Sequence, residues 1–201
     1  MKKFAVIICC LFSCMLPAAI GGGQGVQLSA QNVTTLYEQG KKLYDEENYT
    51  AAFPKLKAAA EKGHKKAQYR LGRCYDKGRG VQENDQLAFQ WYEKSANQGY
   101  AKAQYQLGKC YKDGEGVAKD RKKAFELFMK AASQENADAE LAVGKAYLKG
   151  KGTPADPVKA KKWVKRALSN EKGGKELTDE LKKEAADGDE DAKTLLKLAG
   201  K

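Results

Sequence analysis

Residues 67–81 of the chain read AQYRLGRCYDKGRGV, and the pattern returns 36 residues later, at residues 103–117, as AQYQLGKCYKDGEGV. A looser third copy, AELAVGKAYLKGKGT, begins at residue 139. The glycines at 72, 108 and 144 keep this spacing, and so do the tyrosines at 75, 111 and 147. A fixed period of this length is typical of solenoids, in which each unit buries the apolar face of its neighbour. The sequence is therefore predicted to be a repeat protein.

Each repeat is predicted to contain two helices. Leu71 and Tyr75 fall on one face of the first helix, which the glycines of the Gly-x-Gly motif then end. A second helix follows Asn84, and Asp120 and Asp156 recur as capping residues at the same place. The expected fold is all-α: a right-handed α-solenoid of helix-turn-helix repeats from about residue 31 to about residue 199, without a sheet. The expected repeat core consists of Leu71, Gly72, Tyr75, Leu107, Gly108, Tyr111, Val143, Gly144 and Tyr147.

The full repeat pattern is Ala-x-x-x-Leu-Gly-x-x-Tyr-x-x-Gly-x-Gly-Val-x-x-Asp-x-x-x-Ala, followed by an aromatic residue and Lys-Ala-Ala. This pattern resembles the Sel-like repeat, a relative of the tetratricopeptide repeat. The third copy departs from it, with Thr153 in place of valine and Lys161 where Phe89 and Phe125 stand. The resemblance implies a helical scaffold whose concave face binds a peptide or protein segment.

The chain divides into six expected segments. Residues 1–30 are assigned to a signal peptide and linker, and residues 31–63 to a tetratricopeptide-like unit that lacks the Gly-x-Gly-Val insertion. Pro54 is expected to kink the second helix of that unit. Residues 64–99, 100–135 and 136–170 are the three Sel-like repeats, and residues 171–201 are degenerate capping helices that cover the last apolar edge.

The N-terminus has the pattern of an export signal. Lys2 and Lys3 precede an apolar run over residues 4–16, and small residues follow it. Cleavage after Gly21 and cleavage after Ala30 both fit. A lipoprotein is the alternative, because residues 11–14 read LFSC and resemble a lipobox with Cys14 as the lipid-bearing residue. The protein is expected to be exported, whether periplasmic, extracellular or attached to the envelope.

Positive charge is in excess, with a formal net charge of +11. The excess is concentrated in residues 149–175, where five basic residues surround an apolar stripe. A solvated face on an amphipathic helix explains this arrangement. The alternative is a surface that contacts anionic lipid or polysaccharide. A nucleic-acid partner is disfavoured by the expected export, and membrane association is expected only through this helix or through lipidation. The five residues are Lys159, Lys161, Lys162, Lys165 and Arg166.

No catalytic or metal-binding pattern stands out, so neither an enzyme activity nor a cofactor is expected. Cys74 and Cys110 occupy the place that Ala146 fills in the third copy, which indicates small buried side chains. A disulfide between them is disfavoured, since stacked helices lie about 8–10 Å apart. His64 is expected to be a polar turn residue. The enzyme alternative rests on the resemblance alone: some secreted, cysteine-rich members are described as penicillin-binding or β-lactamase-like, but they carry a cysteine pair in each repeat.

A candidate binding surface follows from aligning the four units on their glycines. One column of the first helices holds an aromatic residue in three units and Leu141 in the fourth, and a second column is basic in all four. Members of a pair are four residues apart, so they share a helix face, which points into the groove in tetratricopeptide-like stacks. Such a surface suits an extended, acidic protein or peptide. The alternative is that these are ordinary exposed helix formers and half-buried tyrosines. The candidate residues are Tyr37, Lys41, Tyr69, Arg73, Tyr105, Lys109 and Lys145.

Overall fold

The computed structural model describes the backbone of residues 23–201 and the side chains of residues 32–201. Within this range the chain forms ten α-helices and no strand, which confirms the all-α solenoid of helical repeats. The apolar N-terminal run and Cys14 lie outside the described residues. The helices are α1 (Gly23–Asp45), α2 (Tyr49–Glu61), α3 (Lys65–Asp76), α4 (Asp85–Asn97), α5 (Ala101–Asp113), α6 (Arg121–Ala132), α7 (Ala137–Lys149), α8 (Pro157–Leu168), α9 (Gly174–Ala186) and α10 (Glu190–Ala199).

The first unit begins earlier than the sequence predicts. The helix α1 begins at Gly23, whereas the helical solenoid was expected to begin at about residue 31. Residues 27–31 read QLSAQ and contain no helix breaker, so the helix extends back through them. Pro54 lies inside α2, yet the helix continues to Glu61 and the proline ring is exposed to solvent. The kink at Pro54 stays a prediction.

The two helices of a repeat approach closely because a glycine stands at their contact. A Cβ atom built on Gly108 would lie 2.6 Å from the ring of Phe128, so no larger residue fits without a shift. The same relation holds for three other pairs in register: Gly40 with Leu56, Gly72 with Tyr92, and Gly144 with Val164. Leu71, Leu107 and Val143 are buried beside these contacts, as is Tyr111, whereas Tyr75 and Tyr147 are partly buried.

The Gly-x-Gly loop joins one repeat to the one before it. Gly116 has a φ of +69°, and a Cβ there would come within 2.3 Å of the carbonyl oxygen of Asp85, at the start of α4. Gly80 and Gly152 make the same contact with the first turns of α2 and α6. The second glycine therefore meets two demands, a left-handed backbone and a backbone contact that leaves no room for a side chain.

Edge-to-face aromatic pairs also link successive repeats. In each pair a phenylalanine of a second helix meets a tyrosine of the next first helix, with ring centroids 5.3 to 5.7 Å apart. This contact explains why phenylalanine and tyrosine recur with one period and why the series stops at Lys161, which has no such tyrosine after it. The pairs are Phe53–Tyr75, Phe89–Tyr111 and Phe125–Tyr147.

A buried side-chain amide lies near the start of both α3 and α5. Gln104 donates from Nε2 to the carbonyl of Ala96 at 3.4 Å and accepts from Nε2 of Gln134 at 2.8 Å. Gln68 forms the same pair of bonds, with the carbonyl of Ala60 and the amide of Gln98. These amides satisfy backbone and side-chain groups that would otherwise be buried without partners at the repeat junctions.

The third repeat replaces this glutamine with Glu140, which is fully buried. Its Oε2 accepts from Asn170 at 3.0 Å, and its Oε1 lies 2.6 Å from Nε of Arg166, an ionic contact without hydrogen-bond geometry. A carboxylate cannot donate, so the carbonyl of Ala132 instead accepts from Nη2 of Arg166 at 3.4 Å. Arg166 thus supplies both the counter-charge and the missing donor.

The C-terminal helices cover the apolar side of α8. Leu177, Leu181 and Leu195 join Val164 and Leu168 in one buried cluster. The Nζ of Lys201 donates to the carbonyl of Leu168 at 3.1 Å and ties the end of the chain to α8. In residues 23–201 no helix has both the length and the apolar character needed to cross a bilayer.

Candidate functional site

A cleft of about 510 Å³ lies between the first helices α5 and α7 and the C-terminal helix α9. Tyr105 and Lys109 of α5 line it together with Leu141 and Lys145 of α7. The aromatic and basic columns therefore meet here, in two successive repeats. Leu177 and Leu181 of α9 form the opposite side, and Phe125 and Phe128 of α6 contribute to the lining.

Tyr105 is a fixed part of this cleft. Its ring centroid lies 5.7 Å from that of Phe128 on α6. Burial raises the pKa of the Tyr105 hydroxyl, and the nearby Asp138 raises it further. The phenol therefore remains protonated and offers an O–H donor beside an apolar ring face.

Charges of both signs line the cleft, with cations in excess. Seven basic side chains face four acidic ones, a formal excess of three positive charges. Two of the basic residues are paired, Lys112 with Asp113 at 3.2 Å and Lys149 with Asp191. The other five have no carboxylate within 4.0 Å among the described side chains, and they remain open to an anionic ligand. These five are Lys109, Lys119, Arg121, Lys145 and Lys151.

The acidic residues were not part of the surface expected from the sequence. Glu180 and Glu184 come from α9, and Asp138 stands near the start of α7. Partial burial raises the pKa of Asp138, while Lys102 acts in the opposite direction. The cleft is thus lined by charges of both signs, and the acidic residues lie on α5 and α7 as well as on α9.

The members of the two columns in the first two units do not line the cleft. Tyr37 is buried and stacks on His64 with ring centroids 4.3 Å apart, so it offers little surface to a ligand. Tyr69 packs edge-on against Tyr100 at 5.3 Å. Lys41 pairs with Asp45 at 3.6 Å. The columns therefore do not form one continuous surface along all four units.

Arg73 belongs to a separate cluster that the alignment of columns did not reveal. Its guanidinium lies 6.0 Å from the ring centroid of Tyr44, and Arg70 and Arg79 lie at 5.0 and 5.4 Å from the same ring. One signal in the sequence points to this cluster, since three of the five arginines of the chain fall within residues 70–79.

The basic helix α8 is less free than its composition indicates. Arg166 is committed to Glu140, and Lys159 pairs with Asp156 at 3.1 Å. Three exposed lysines on this helix have no carboxylate within 4.0 Å among the described side chains: Lys161, Lys162 and Lys165. Val158, at the start of the helix, is 81% exposed.

The two described thiols and the histidine have roles in packing and helix capping. Cys74 and Cys110 are buried and free, and burial raises their pKa to about 11 and about 12. Thiols in such surroundings are poor nucleophiles at neutral pH. His64 caps α3, because its Nδ1 accepts from the N–H of Ala67 at 3.2 Å. Among the side chains of residues 32–201, no three histidine, cysteine or acidic residues form a group suited to a metal ion.

Several solved structures are similar to this chain. A Sel1 repeat protein from Oxalobacter formigenes is 37% identical over 67% of this chain, with a TM-score of 0.63. The protective antigen c5321, present in uropathogenic Escherichia coli strains and displaying an SLR fold, is 27% identical over 87% of this chain, with a TM-score of 0.69. The chain spans only 55% of the first protein's length and 39% of the second's. No curated protein matches it significantly.

The repeats themselves match a family model. Residues 65–100, 101–136 and 137–171 each match the Sel1 repeat. Sel1 repeats generally form protein-interaction scaffolds. Since the three matches together cover more than half of the 201 residues, the chain belongs to the Sel1 repeat family.

Proposed function

We propose that this protein is a non-catalytic scaffold that binds a segment of another protein in the cleft between α5, α7 and α9. The observation that carries the proposal is the cleft itself, because Tyr105, Lys109 and Lys145 line it from successive repeats. Concave sites with an apolar floor and a few convergent polar groups are the usual form of a binding pocket.

The lining indicates what kind of segment would fit. Leu141, Phe125 and the ring of Tyr105 provide apolar surface, while Lys109 and Lys145 supply unpaired charge. An acidic segment with an apolar side chain satisfies both. Glu180 and Glu184 on the opposite side favour a cation elsewhere in the same segment. The partner is therefore an extended segment of mixed charge with carboxylates in excess.

Site-specific crosslinking tests this proposal. A photoreactive amino acid at position 112, an exposed position of the cleft, is compared with the same residue at position 165 on α8. We expect a discrete crosslinked partner from position 112 alone. The double variant Lys109→Glu, Lys145→Glu should abolish that product, whereas Lys162→Glu, Lys165→Glu should leave it unchanged. Capture that survives reversal of the cleft charges would exclude the cleft as the binding surface.

Export is the second part of the proposal. It is supported by Lys2 and Lys3 followed by the apolar run of residues 4–16. Fractionation of cells that express the full chain should place the protein outside the cytoplasm. Labelling of the cells with palmitate then separates a lipoprotein from a secreted protein, because only a lipoprotein would incorporate the label and would lose it in the variant Cys14→Ser.

The basic face of α8 offers a second candidate function, contact with an anionic envelope surface. It is favoured by the 81% exposure of Val158 on the helix that presents Lys161, Lys162 and Lys165. Sedimentation with anionic vesicles at low and high salt tests it. Loss of binding at high salt and in the variant Lys162→Glu, Lys165→Glu would support this surface, and binding that depends on neither would exclude it.

A hydrolase remains the alternative to a scaffold, and a nitrocefin assay on the purified protein tests it. We expect no turnover above that of buffer. The two described thiols are buried, and burial raises their pKa, so they are poor nucleophiles at neutral pH. Turnover that persists through repeated purification would overturn the non-catalytic assignment.

A further inference from the structure

Arginine is rare in this chain and unevenly placed. There are five arginines against 32 lysines, and three of the five surround one tyrosine. The guanidinium carbons of Arg70, Arg79 and Arg73 lie 5.0, 5.4 and 6.0 Å from the ring centroid of Tyr44. Lysine would provide the same charge, so the choice of arginine indicates that the shape of the guanidinium matters here.

The cluster is held in place by aromatic side chains. Tyr44 is buried in the last turn of α1, and its hydroxyl accepts a hydrogen bond from Nη1 of Arg79 at 2.6 Å. The guanidinium of Arg79 also lies 4.8 Å from the ring centroid of Tyr49. Cation–π contacts position a guanidinium while leaving most of its five N–H donors free. The arginines are therefore oriented before any ligand arrives.

Two of the three arginines form no ion pair with a described carboxylate. Asp45 lies 3.0 Å from Nη1 of Arg70 and also pairs with Lys41 at 3.6 Å. Among the described side chains, neither Arg73 nor Arg79 has a carboxylate within 4.0 Å. These two guanidinium groups repel each other, and neither has an ion pair that offsets the repulsion. An anion bound between them would remove this repulsion.

The amount of charge indicates the class of anion. Two uncompensated guanidinium groups match a phosphate monoester, which carries about −1.5 to −2 at neutral pH and three strong acceptor oxygens. A single carboxylate has one charge and two oxygens, which one guanidinium satisfies. We infer that Arg73 and Arg79, held on Tyr44 beside Arg70, form a binding subsite for a phosphate monoester. This subsite is separate from the cleft and does not depend on it.

The repeat itself shows that the subsite occurs once. The positions of Arg70 and Arg79 correspond to Gln106 and Glu115 in the next repeat and to Ala142 and Lys151 in the one after. Structural needs shared by all repeats do not require arginine at these places. The arginines are thus a local feature of the junction between α1 and α3.

Calorimetry on the full chain at constant ionic strength tests the inference. The ligands are inorganic phosphate, glycerol 3-phosphate and, as the carboxylate control, acetate. We expect saturable binding of both phosphates and none of acetate. The variant Arg73→Gln, Arg79→Gln should weaken phosphate binding at least about tenfold, which corresponds to about 1.4 kcal/mol. Lys182→Gln, Lys183→Gln removes the same charge from exposed positions of α9 and should have no effect.

Two further arms complete the test. The variant Arg73→Lys, Arg79→Lys keeps the charge but loses the planar fork, and we expect it to fold and to bind phosphate severalfold more weakly. Sedimentation with phosphatidic acid vesicles, against phosphatidylglycerol vesicles of equal charge, separates a lipid headgroup from a soluble monoester. Absence of saturable phosphate binding, or equal weakening by the control pair on α9, would overturn the inference. So would lysine variants that bind as well as the wild type.

Discussion

Replacing Arg166 by alanine is expected to lower the free energy of unfolding of the third repeat by about 2–4 kcal/mol. The reason is Glu140, whose side chain is 0% exposed and whose Oε1 lies 2.6 Å from Nε of Arg166. Removing one partner of a fully buried pair costs about 3–5 kcal/mol, because a charge is left in a site of low dielectric constant. The arginine side chain is 46% exposed and Asn170 keeps its hydrogen bond to Glu140, so the loss should fall below that range.

The other repeats suggest a way to reverse this loss. Gln68 and Gln104 occupy the place of Glu140 and need no arginine, because an amide donates to the carbonyl and accepts from the next amide. The change Glu140→Gln should restore both bonds in the third repeat. We therefore expect Glu140→Gln, Arg166→Ala to be at least about 2 kcal/mol more stable than Arg166→Ala alone.

Urea unfolding followed by tryptophan fluorescence measures these differences locally. Trp163 lies on α8 next to Arg166, and Trp91→Phe removes the other tryptophan of the chain. Lys165→Ala is the matched control, since it removes an exposed charge one residue away. The reasoning is refuted if Arg166→Ala unfolds at the same urea concentration as this control. It is also refuted if the double variant is no more stable than Arg166→Ala.

Three further predictions concern the repeat framework and its caps. Leu107→Ala, at a site only 4% exposed, should destabilise the protein by about 2–5 kcal/mol in urea unfolding, and a change of a few tenths would place Leu107 outside the core. Gly116→Ala should lower the melting temperature more than Gly99→Ala does, because both glycines have a positive φ but only a Cβ at position 116 would meet a backbone carbonyl. Equal melting temperatures would argue against the loop contact. Burial and the nearby Lys66 lower the pKa of His64, and the helix cap requires the neutral ring. The cap therefore stabilises the folded state above about pH 6.5, and this stabilisation is lost as the pH falls through the lower pKa that His64 has in the folded protein. Melting temperature should therefore fall more between about pH 7 and pH 5 in the wild type than in His64→Asn, and parallel curves would contradict this role.

The fold was predictable because its causes recur in the sequence at one spacing. Gly108 and Gly116 are required by contacts that every repeat makes, so the period reveals them before any coordinate is known. Helix pairs, caps and buried leucines follow from the same pattern. The start of α1 was misplaced, since no repeated feature marks it.

The candidate site was only partly predictable, for a physical reason. A spacing of four residues places Tyr105 and Lys109 on one helix face, but it does not say what packs across from that face. Glu180 and Glu184 entered the cleft from α9, where the period has already failed. Tyr37 shares the column position of Tyr105 and yet is covered by His64, which no later repeat supplies. Contacts between elements that differ from unit to unit are not encoded in the period.

Departures from the period therefore identify the places where this protein has contacts that the repeats do not share. A contact shared by all units is explained by the stability of the stack, and it distinguishes no partner. Arg79 breaks the pattern in the first Sel1 repeat, and α9 breaks it at the end of the chain. The first break brings uncompensated guanidinium groups together, and the second closes a cleft of mixed charge. Glu140 also breaks the pattern, but Arg166 of the same repeat forms an ion pair with it. A departure that the chain satisfies internally is structural, whereas Arg79 and the acidic residues that α9 adds to the cleft have no such internal explanation, and the two proposed sites depend on them.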